Sequence, residues 1–244
     1  MLGDVSEQSN ESHGPLLSVR SEVERIVDPD SAVLNGQISI ARETKEEALR
    51  AAAIALASLK EALQDLGGTV DTASTHVLPL TWSTQRIITM PEYDNSLRSN
   101  TGRTVANVTV HLSLRDFSLL EQLEEMVATQ EHFRLMHASW SVDADNPSWN
   151  TLRNEAIQEA LRKGMDYAAA LGSNVVSVEH VADLGLLGGD EPEHRARGGS
   201  VAAMGGGGGA GFVPSLDPIP QRIIAGIEAR FRIAPVPLPA RPSA

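Results

Sequence analysis

A long helix with a narrow apolar stripe is the feature that most constrains how this chain folds. Apolar residues recur there at spacings of 3, 4, 3, 4 and 3, at Leu49, Ala52, Leu56, Leu59, Leu63 and Leu66. These spacings place all of them on one side of an α-helix. The capping-box pattern from Thr44 to Glu47 starts the helix, and Gly67-Gly68 ends it. The stripe predicts a helix packed on a sheet of its own chain; an intermolecular coiled coil is the alternative, although three heptads is short for one.

The two segments before this helix predict a β-hairpin. Leu16–Val27 and Ser31–Ala41 have the composition of strands. Asp28-Pro29-Asp30 between them is typical of a turn, because proline fixes φ and aspartate side chains bond their own backbone. Apolar and polar residues alternate in the second segment, which predicts one buried and one polar face.

Further strands are predicted on both sides of an irregular segment. Thr69–Gln85 is expected to be a third strand, at a sheet edge or a bulge, because Pro79 cannot donate to a ladder. Ile87–Gly102 contains Pro, Asn, Ser and Gly and is predicted to be a loop or an irregular connection. Strict alternation predicts half-buried strands over Val105–Leu114 and, near the end of the chain, over Arg222–Ile233.

Two more helices are predicted from their start signals. The capping box Ser118-Leu-Leu-Glu121, with Asp116 as an alternative cap, predicts a helix to about Thr129. Asn146-Pro147 starts a long helix rich in Ala and Gly, which Gly172 ends. Strands are predicted after these two helices, over His132–Asp143 and Asn174–Leu184.

Low-complexity segments define the domain organisation. Residues 1–15 are predicted to be a disordered arm, and residues 234–244 a Pro-rich disordered tail. One domain is expected over 16–233, interrupted by a flexible Gly-rich loop over 186–212. The tail contains a minimal PxxP pattern, Pro239-Ala-Arg-Pro242, for which a disordered end is the favoured interpretation.

Composition excludes several classes of partner. The chain has 244 residues, a formal net charge of −12 and no cysteine. This charge repels nucleic-acid phosphates and anionic lipids, and no cluster of five Lys or Arg offsets it. Nucleic acid is therefore not a predicted partner. No stretch reaches 18 apolar residues, so membrane insertion is not predicted either. The N-terminal residues show no basic region followed by an apolar run, so no signal peptide is predicted and the chain is expected to be cytoplasmic.

Seven histidines raise the question of a metal site, but their spacing does not support one. His132 and His137 are five residues apart, which places them on opposite faces of a strand. His111 lies on the polar face of its predicted strand. The segment Asp190-Glu-Pro-Glu-His194 has ligand-type side chains, but ordering a glycine-rich loop offsets much of the coordination energy. No metal-binding residue is predicted.

The sequence also lacks the motifs of common enzymes. It has no Gly-x-Ser-x-Gly elbow, and the absence of cysteine excludes a thiol nucleophile. The glycine run Gly205–Gly209 is not a phosphate loop, because no Lys-Ser/Thr and no helix follow it. The carboxylate pairs Glu46-Glu47 and Glu124-Glu125 are expected to lie on solvated helix surfaces. We predict no catalytic residue and no cofactor.

Several segments occur in an order and spacing that point to one family. They are the turn Asp28-Pro-Asp30 before Ala32-Val-Leu, the helix start Glu46-Glu47-Ala48, the long helix from Asn154-Glu-Ala-Ile-Gln-Glu-Ala160 to Ala168-Ala-Ala-Leu-Gly172, and the strand Ile224-Ala-Gly-Ile-Glu-Ala-Arg-Phe231 after Pro218-Ile-Pro220. Together they resemble the SIMPL-domain family, a domain of unknown function, over roughly residues 16 to 233.

The resemblance implies an α+β fold in which helices pack on antiparallel strands, here as roughly two βα lobes. In some bacterial members it implies ring-like or channel-like homo-oligomers. The family is associated with stress responses, with envelope immunogens and, in animals, with kinase-signalling scaffolds. It has no agreed catalytic residues, so none is carried over. Many bacterial members look exported, and this N-terminus departs from that pattern.

Three functional hypotheses follow. The first is a non-enzymatic, self-assembling protein with a possible place in stress responses. The second is a small-molecule-binding or hydrolytic protein whose site lies between the sheet and the Gly-rich loop, with His76, His111 and His180 as polar contributors. The third is a scaffold that binds a protein partner through its flexible ends.

Overall fold

The fold is an α+β arrangement, as predicted. A computed structural model describes residues 14–71, 78–94, 96, 99–187 and 216–236. The elements in these ranges are, in chain order, β1 Leu16–Val27, β2 Ser31–Arg42, α1 Lys45–Asp65, β3 Thr69–Val70, β4 Leu80–Thr84, β5 Ile88–Asp94, β6 Ser99–Leu114, a 3-10 turn Phe117–Leu119, α2 Leu120–Thr129, β7 Phe133–Ser141, α3 Pro147–Ala170, β8 Val175–Asp183 and β9 Gln221–Ile233.

The chain divides into two compact units. The described residues of the first unit come from 14–25, 145–187 and 222–236. Those of the second unit come from 26–144 and 216–221. Among the helices described, none is both long and apolar enough to cross a membrane.

The second unit is a six-stranded sheet with helix α1 packed on it. The strands follow the order β3-β4-β6-β2-β7, and β5 pairs with the first half of β6. Alternate residues of the central strands are fully buried, among them Leu34 and Ile38 of β2 and Val108 and Leu112 of β6. The apolar side of α1 contacts β2 and β6, which confirms the predicted packing of this helix on its own sheet.

The ends of α1 form as predicted. The Glu47 backbone N–H donates to Thr44 Oγ1 at 3.2 Å, and the Thr44 N–H donates to Glu47 Oε2 at 3.3 Å. This capping box satisfies two backbone donors at the start of the helix. Gly67 follows the last turn with φ of +78°, a conformation that glycine adopts without a steric penalty.

The first unit is a three-stranded sheet in the order β1-β9-β8, with α3 packed on one face. The buried side of α3 is lined by small residues, which lets the helix approach the sheet closely. At Gly164 a Cβ atom would lie 2.7 Å from the ring of Phe231, so only glycine fits there. Ser21 of β1 donates its hydroxyl to the Ala156 carbonyl oxygen of the helix at 2.6 Å.

The predicted β1–β2 hairpin is wrong, because the two strands belong to different sheets. β1 neighbours β9, whereas β2 pairs with β6 and β7. Asp30 in the connecting turn is tied to the end of β7. Its N–H donates to the Ser141 carbonyl oxygen at 2.9 Å, and its carboxylate accepts the Asp143 N–H at 2.8 Å. The turn residues therefore redirect the chain into a second sheet instead of folding it back on β1.

The predictions for the next two segments are also wrong. Thr69–Gln85 is not one strand: β3 and β4 are separate and pair in parallel with each other, and residues 72–77 between them lie outside the described ranges. Ile87–Gly102 is not a loop, because β5 and the start of β6 form an antiparallel pair there. The pairing is irregular between Pro91 and Tyr93, and Gly102 has φ of +84°. These irregular residues interrupt the alternation that identifies a strand.

The segment that leads into the second helix is capped by Asp116, the alternative to Ser118 in the prediction. Asp116 Oδ1 accepts the Ser118 N–H at 3.0 Å and the Ser118 hydroxyl at 2.6 Å. These two hydrogen bonds hold the pKa of the Asp116 carboxyl below its ordinary value. A 3-10 turn then leads into α2, whose first residue has no side-chain cap. The capping box predicted at Ser118 therefore does not form.

The remaining elements agree with the sequence. Asn146 caps α3 by accepting the Ser148 N–H at 2.8 Å, and Gly172 follows its end with φ of +71°. The strands predicted near β6, β7, β8 and β9 are confirmed within a few residues. The N-terminal arm up to residue 13, most of the Gly-rich segment and the tail from residue 237 lie outside the described ranges.

Candidate functional site

A row of polar side chains crosses the sheet of the second unit on the face that is not buried in the core. Backbone register aligns Ser83 of β4 with His111 of β6, His111 with Asn35 of β2, and Asn35 with His137 of β7. Neighbouring strands are about 4.8 Å apart, so this polar row spans about 15 Å.

His111 is held on both sides by protein groups. Its Nδ1 lies 2.5 Å from Asn35 Oδ1, and its Nε2 lies 3.3 Å from the Gln85 side-chain nitrogen. An amide oxygen only accepts, so Nδ1 carries the proton, and Nε2 then accepts from the Gln85 amide. The neutral Nδ1–H tautomer therefore satisfies both hydrogen bonds. Such a ring is fixed in orientation and presents a defined surface to solvent.

His137 contacts a serine on its own strand. Its Nε2 lies 2.8 Å from Ser139 Oγ, because residues two apart on a strand share a face. A histidine beside a serine hydroxyl supplies two of the three groups of a catalytic triad, the nucleophile and the base. The orienting third group is missing: within the described ranges, no carboxylate contacts the other nitrogen of this ring.

The polar row does not form a metal centre. His111 and His137 are two strands apart with Asn35 between them, and both ring nitrogens of His111 are hydrogen-bonded to Asn35 and Gln85. His132 lies just before β7, where its ring is 3.9 Å from the Glu131 carboxylate. In the part of the chain that the structure describes, no three His, Asp or Glu side chains are close enough to hold a metal ion. His194 and its acidic neighbours lie outside that part.

The three histidines of the ligand-site hypothesis are not gathered on one element. His111 lies in β6 of the second unit, and His180 lies in β8 of the first. His76 falls outside the described residues. Sequence reasoning missed Asn35 and Gln85 as partners of His111. Alternation placed Asn35 and His111 on polar strand faces, but no local signal shows that their strands are neighbours.

A groove between β1 and α3 in the first unit is also polar, but its charges pair with one another. Arg162 donates to Glu159 and to Asp166, both at 2.7 Å. The Arg162 hydrogen bond is the main cause that holds the pKa of Glu159 below its ordinary value. Arg25 of β1 donates to Glu155 at 2.5 Å. This groove therefore offers a ligand little uncompensated charge.

The outer edge of β8 is the second candidate surface. β8 is the last strand of the sheet β1-β9-β8, so within the described residues its outer side has no strand neighbour. Val176, Val178 and Val181 are exposed by 62%, 55% and 50% along this strand. An edge strand presents unpaired backbone N–H and C=O groups, and apolar side chains beside them favour pairing with another chain. The geometry suits a protein contact.

Comparison with known families agrees with the motifs. The family model described as SIMPL, protein of unknown function (DUF541), matches residues 17–231. No curated protein matches the chain. The matched range covers all or most of every strand and helix named above, in both units. The chain therefore belongs to the SIMPL family.

Proposed function

We propose that this protein is a non-enzymatic member of the SIMPL family that acts by associating with further copies of itself. The observation that supports the proposal is the outer edge of β8, which carries three exposed valines and has no strand neighbour among the described residues. Single exposed apolar residues are common on soluble proteins, but a run of them on an edge strand marks an interaction surface. A stress-related role, implied by the family resemblance, remains a prediction.

The net charge shapes how such an association depends on salt. Each copy carries a formal charge of −12, so copies repel one another at long range. At physiological ionic strength this repulsion is screened beyond about 8 Å. Apolar contacts at a short edge then outweigh it. Association should strengthen when salt is raised from low concentration.

Light scattering coupled to size exclusion tests the proposal directly. The 26.1 kDa chain should elute with a mass of at least two copies at micromolar concentration. Raising the salt from 20 mM to 150 mM should shift the equilibrium further towards the oligomer. A mass of one copy at all concentrations up to about 100 μM would overturn the proposal.

The polar row supports a second candidate function, the binding of a small polar molecule on the sheet of the second unit. The supporting observation is the tethered His111, whose ring is fixed by Asn35 and Gln85. A panel of small anions and polar metabolites can be screened by chemical-shift changes. Binding on this row should be lost in His111→Ala and kept in Ser113→Ala, a control two residues further along β6 on the same face, where it aligns with Thr81. Equal responses of both variants would exclude the row.

A further inference from the structure

The centre of β8 is self-complementary. It reads Val178-Glu179-His180-Val181, with an apolar residue at each end and a carboxylate beside an imidazole in the middle. If two such strands run antiparallel about the midpoint, each Val178 lies opposite a Val181. Each Glu179 then lies opposite a His180. All four residues are exposed on the β8 edge.

An irregularity in β8 places both valines on the same face. Residues three apart on a regular strand point to opposite faces. The register of β8 on β9 shifts between Val178 and His180, so that Val178 aligns with Phe231 and Val181 with Ala229. Phe231 and Ala229 are both buried, and Phe231 lies against Gly164 of α3. Both valines therefore lie on the helix-packed face, where two copies would bring four valines together.

The charged residues lie on the other face. Glu179 Oε1 accepts from Arg232 Nε at 3.2 Å and from Ser177 Oγ at 2.9 Å. These two hydrogen bonds hold the pKa of Glu179 below its ordinary value, and the one from Arg232 has the larger effect. The carboxylate is therefore ionised at neutral pH. His180 aligns with Arg230, on the face opposite the valines.

We infer that two copies of this protein pair through β8, antiparallel about the midpoint of Glu179 and His180, with Val178 opposite Val181 and Glu179 opposite His180. This inference rests on the proposed self-association and names its contact. Backbone hydrogen bonds would extend the three-stranded sheet across the two copies. Two valine pairs and two carboxylate–imidazole pairs would fix the register, since cross-strand pairs of this kind stabilise a sheet.

The first test places a negative or a positive charge at position 180. His180→Glu places two carboxylates opposite each other at both of the central pairs of the contact, so the dimer should dissociate about tenfold more readily. His180→Lys places a cation opposite Glu179 and should associate at least as well as the unchanged protein. Within one copy, position 180 lies beside Arg230, which would attract a new carboxylate, and beside Glu179, which would repel it. Urea unfolding of both His180 variants therefore accompanies the test, so that a weaker fold is told apart from a weaker contact.

The second test uses the absence of native cysteine. Val178→Cys and Val181→Cys are made separately, and the two proteins are mixed under mild oxidation. A disulfide should form between the two different variants, because these positions lie opposite each other. Neither variant should crosslink with itself, since like positions are about 10 Å apart along the strand, beyond disulfide reach.

The outcomes separate the pairing from the proposed function. The β8 pairing is wrong, and self-association stands, if the protein is an oligomer with two further properties. These are that both His180 variants associate equally, and that each cysteine variant crosslinks with itself as readily as in the mixture. If the unchanged protein is monomeric, the β8 pairing and the proposed self-association are both wrong. Charge-dependent association together with crosslinking only in the mixture supports the pairing.

Discussion

At the scale of single residues, the pKa of Glu179 depends mainly on one arginine. In the folded protein its pKa lies below the ordinary value of 4.5, mainly because Arg232 donates a hydrogen bond to the carboxylate and secondly because Ser177 does. A lowered folded-state pKa stabilises the fold above pH 4.5, and this stabilisation is lost as the pH falls through the lowered pKa. Glu179 should therefore contribute to stability at neutral pH and cease to do so in acid.

Replacing that arginine should raise the pKa of Glu179. In Arg232→Gln the larger of the two lowering hydrogen bonds is gone, so the pKa should move towards 4.5 without reaching it, because Ser177 still donates. The carboxyl resonance of Glu179, followed by NMR from pH 2 to 7, measures this shift. Arg222→Gln is the matched control, since Arg222 of the same strand pairs with Glu24 instead. An unchanged pKa of Glu179 in Arg232→Gln would contradict the assignment.

At the scale of elements, the start of α1 should depend on its capping box. Thr44→Ala removes the hydroxyl that accepts the Glu47 N–H, and this should lower the free energy of unfolding by about 1 kcal/mol. Thr44→Ser keeps the hydroxyl and should stay within a few tenths of a kcal/mol of the unchanged protein. Urea unfolding followed by circular dichroism gives both values. Equal losses in the two variants would show that the threonine methyl group, not the cap, matters.

The elements that could be predicted are those whose signal is local. The start of α1 depends on four consecutive residues, and the burial of β9 follows from alternation within one segment. The partner of a strand depends instead on residues far along the chain. Asp28-Pro29-Asp30 indicated a reversal, yet β1 lies beside β9, about 200 residues away in sequence. No pattern within β1 distinguishes β2 from β9 as its neighbour.

The same reason limits what the sequence shows about the polar row. Alternation put His111 and Asn35 on polar faces of two strands, and this much is confirmed. Their hydrogen bond requires that β2 and β6 be neighbours in a register that aligns these two residues. The bulge that turns Val178 and Val181 to one face of β8 is equally invisible, because it is defined by pairing with β9. Site geometry thus follows from strand pairing, which alternation leaves open.

At the scale of the whole molecule, both units are built from distant parts of the chain. The first unit joins β1 near the N-terminus to β9 near the C-terminus, where the Ile233 N–H donates to the Pro15 carbonyl oxygen at 3.1 Å. The second unit also recruits a late residue. Leu216 is buried in its core, and its N–H donates to Glu124 Oε1 at 2.5 Å. Glu124 was expected to be a solvated helix carboxylate, but it is half-buried and receives this returning segment.

Leu216 should therefore stabilise the second unit although about 70 residues separate it from the rest of that core. Leu216→Ala leaves a cavity and should lower the free energy of unfolding by about 2–5 kcal/mol. Leu186→Ala is the matched control, because Leu186 is 73% exposed and its removal should have almost no effect. Urea unfolding followed by the fluorescence of Trp82 and Trp140, both in the core of this unit, measures the change. Equal stability of the two variants would mean that the Leu216 side chain contributes nothing to the stability of the second unit.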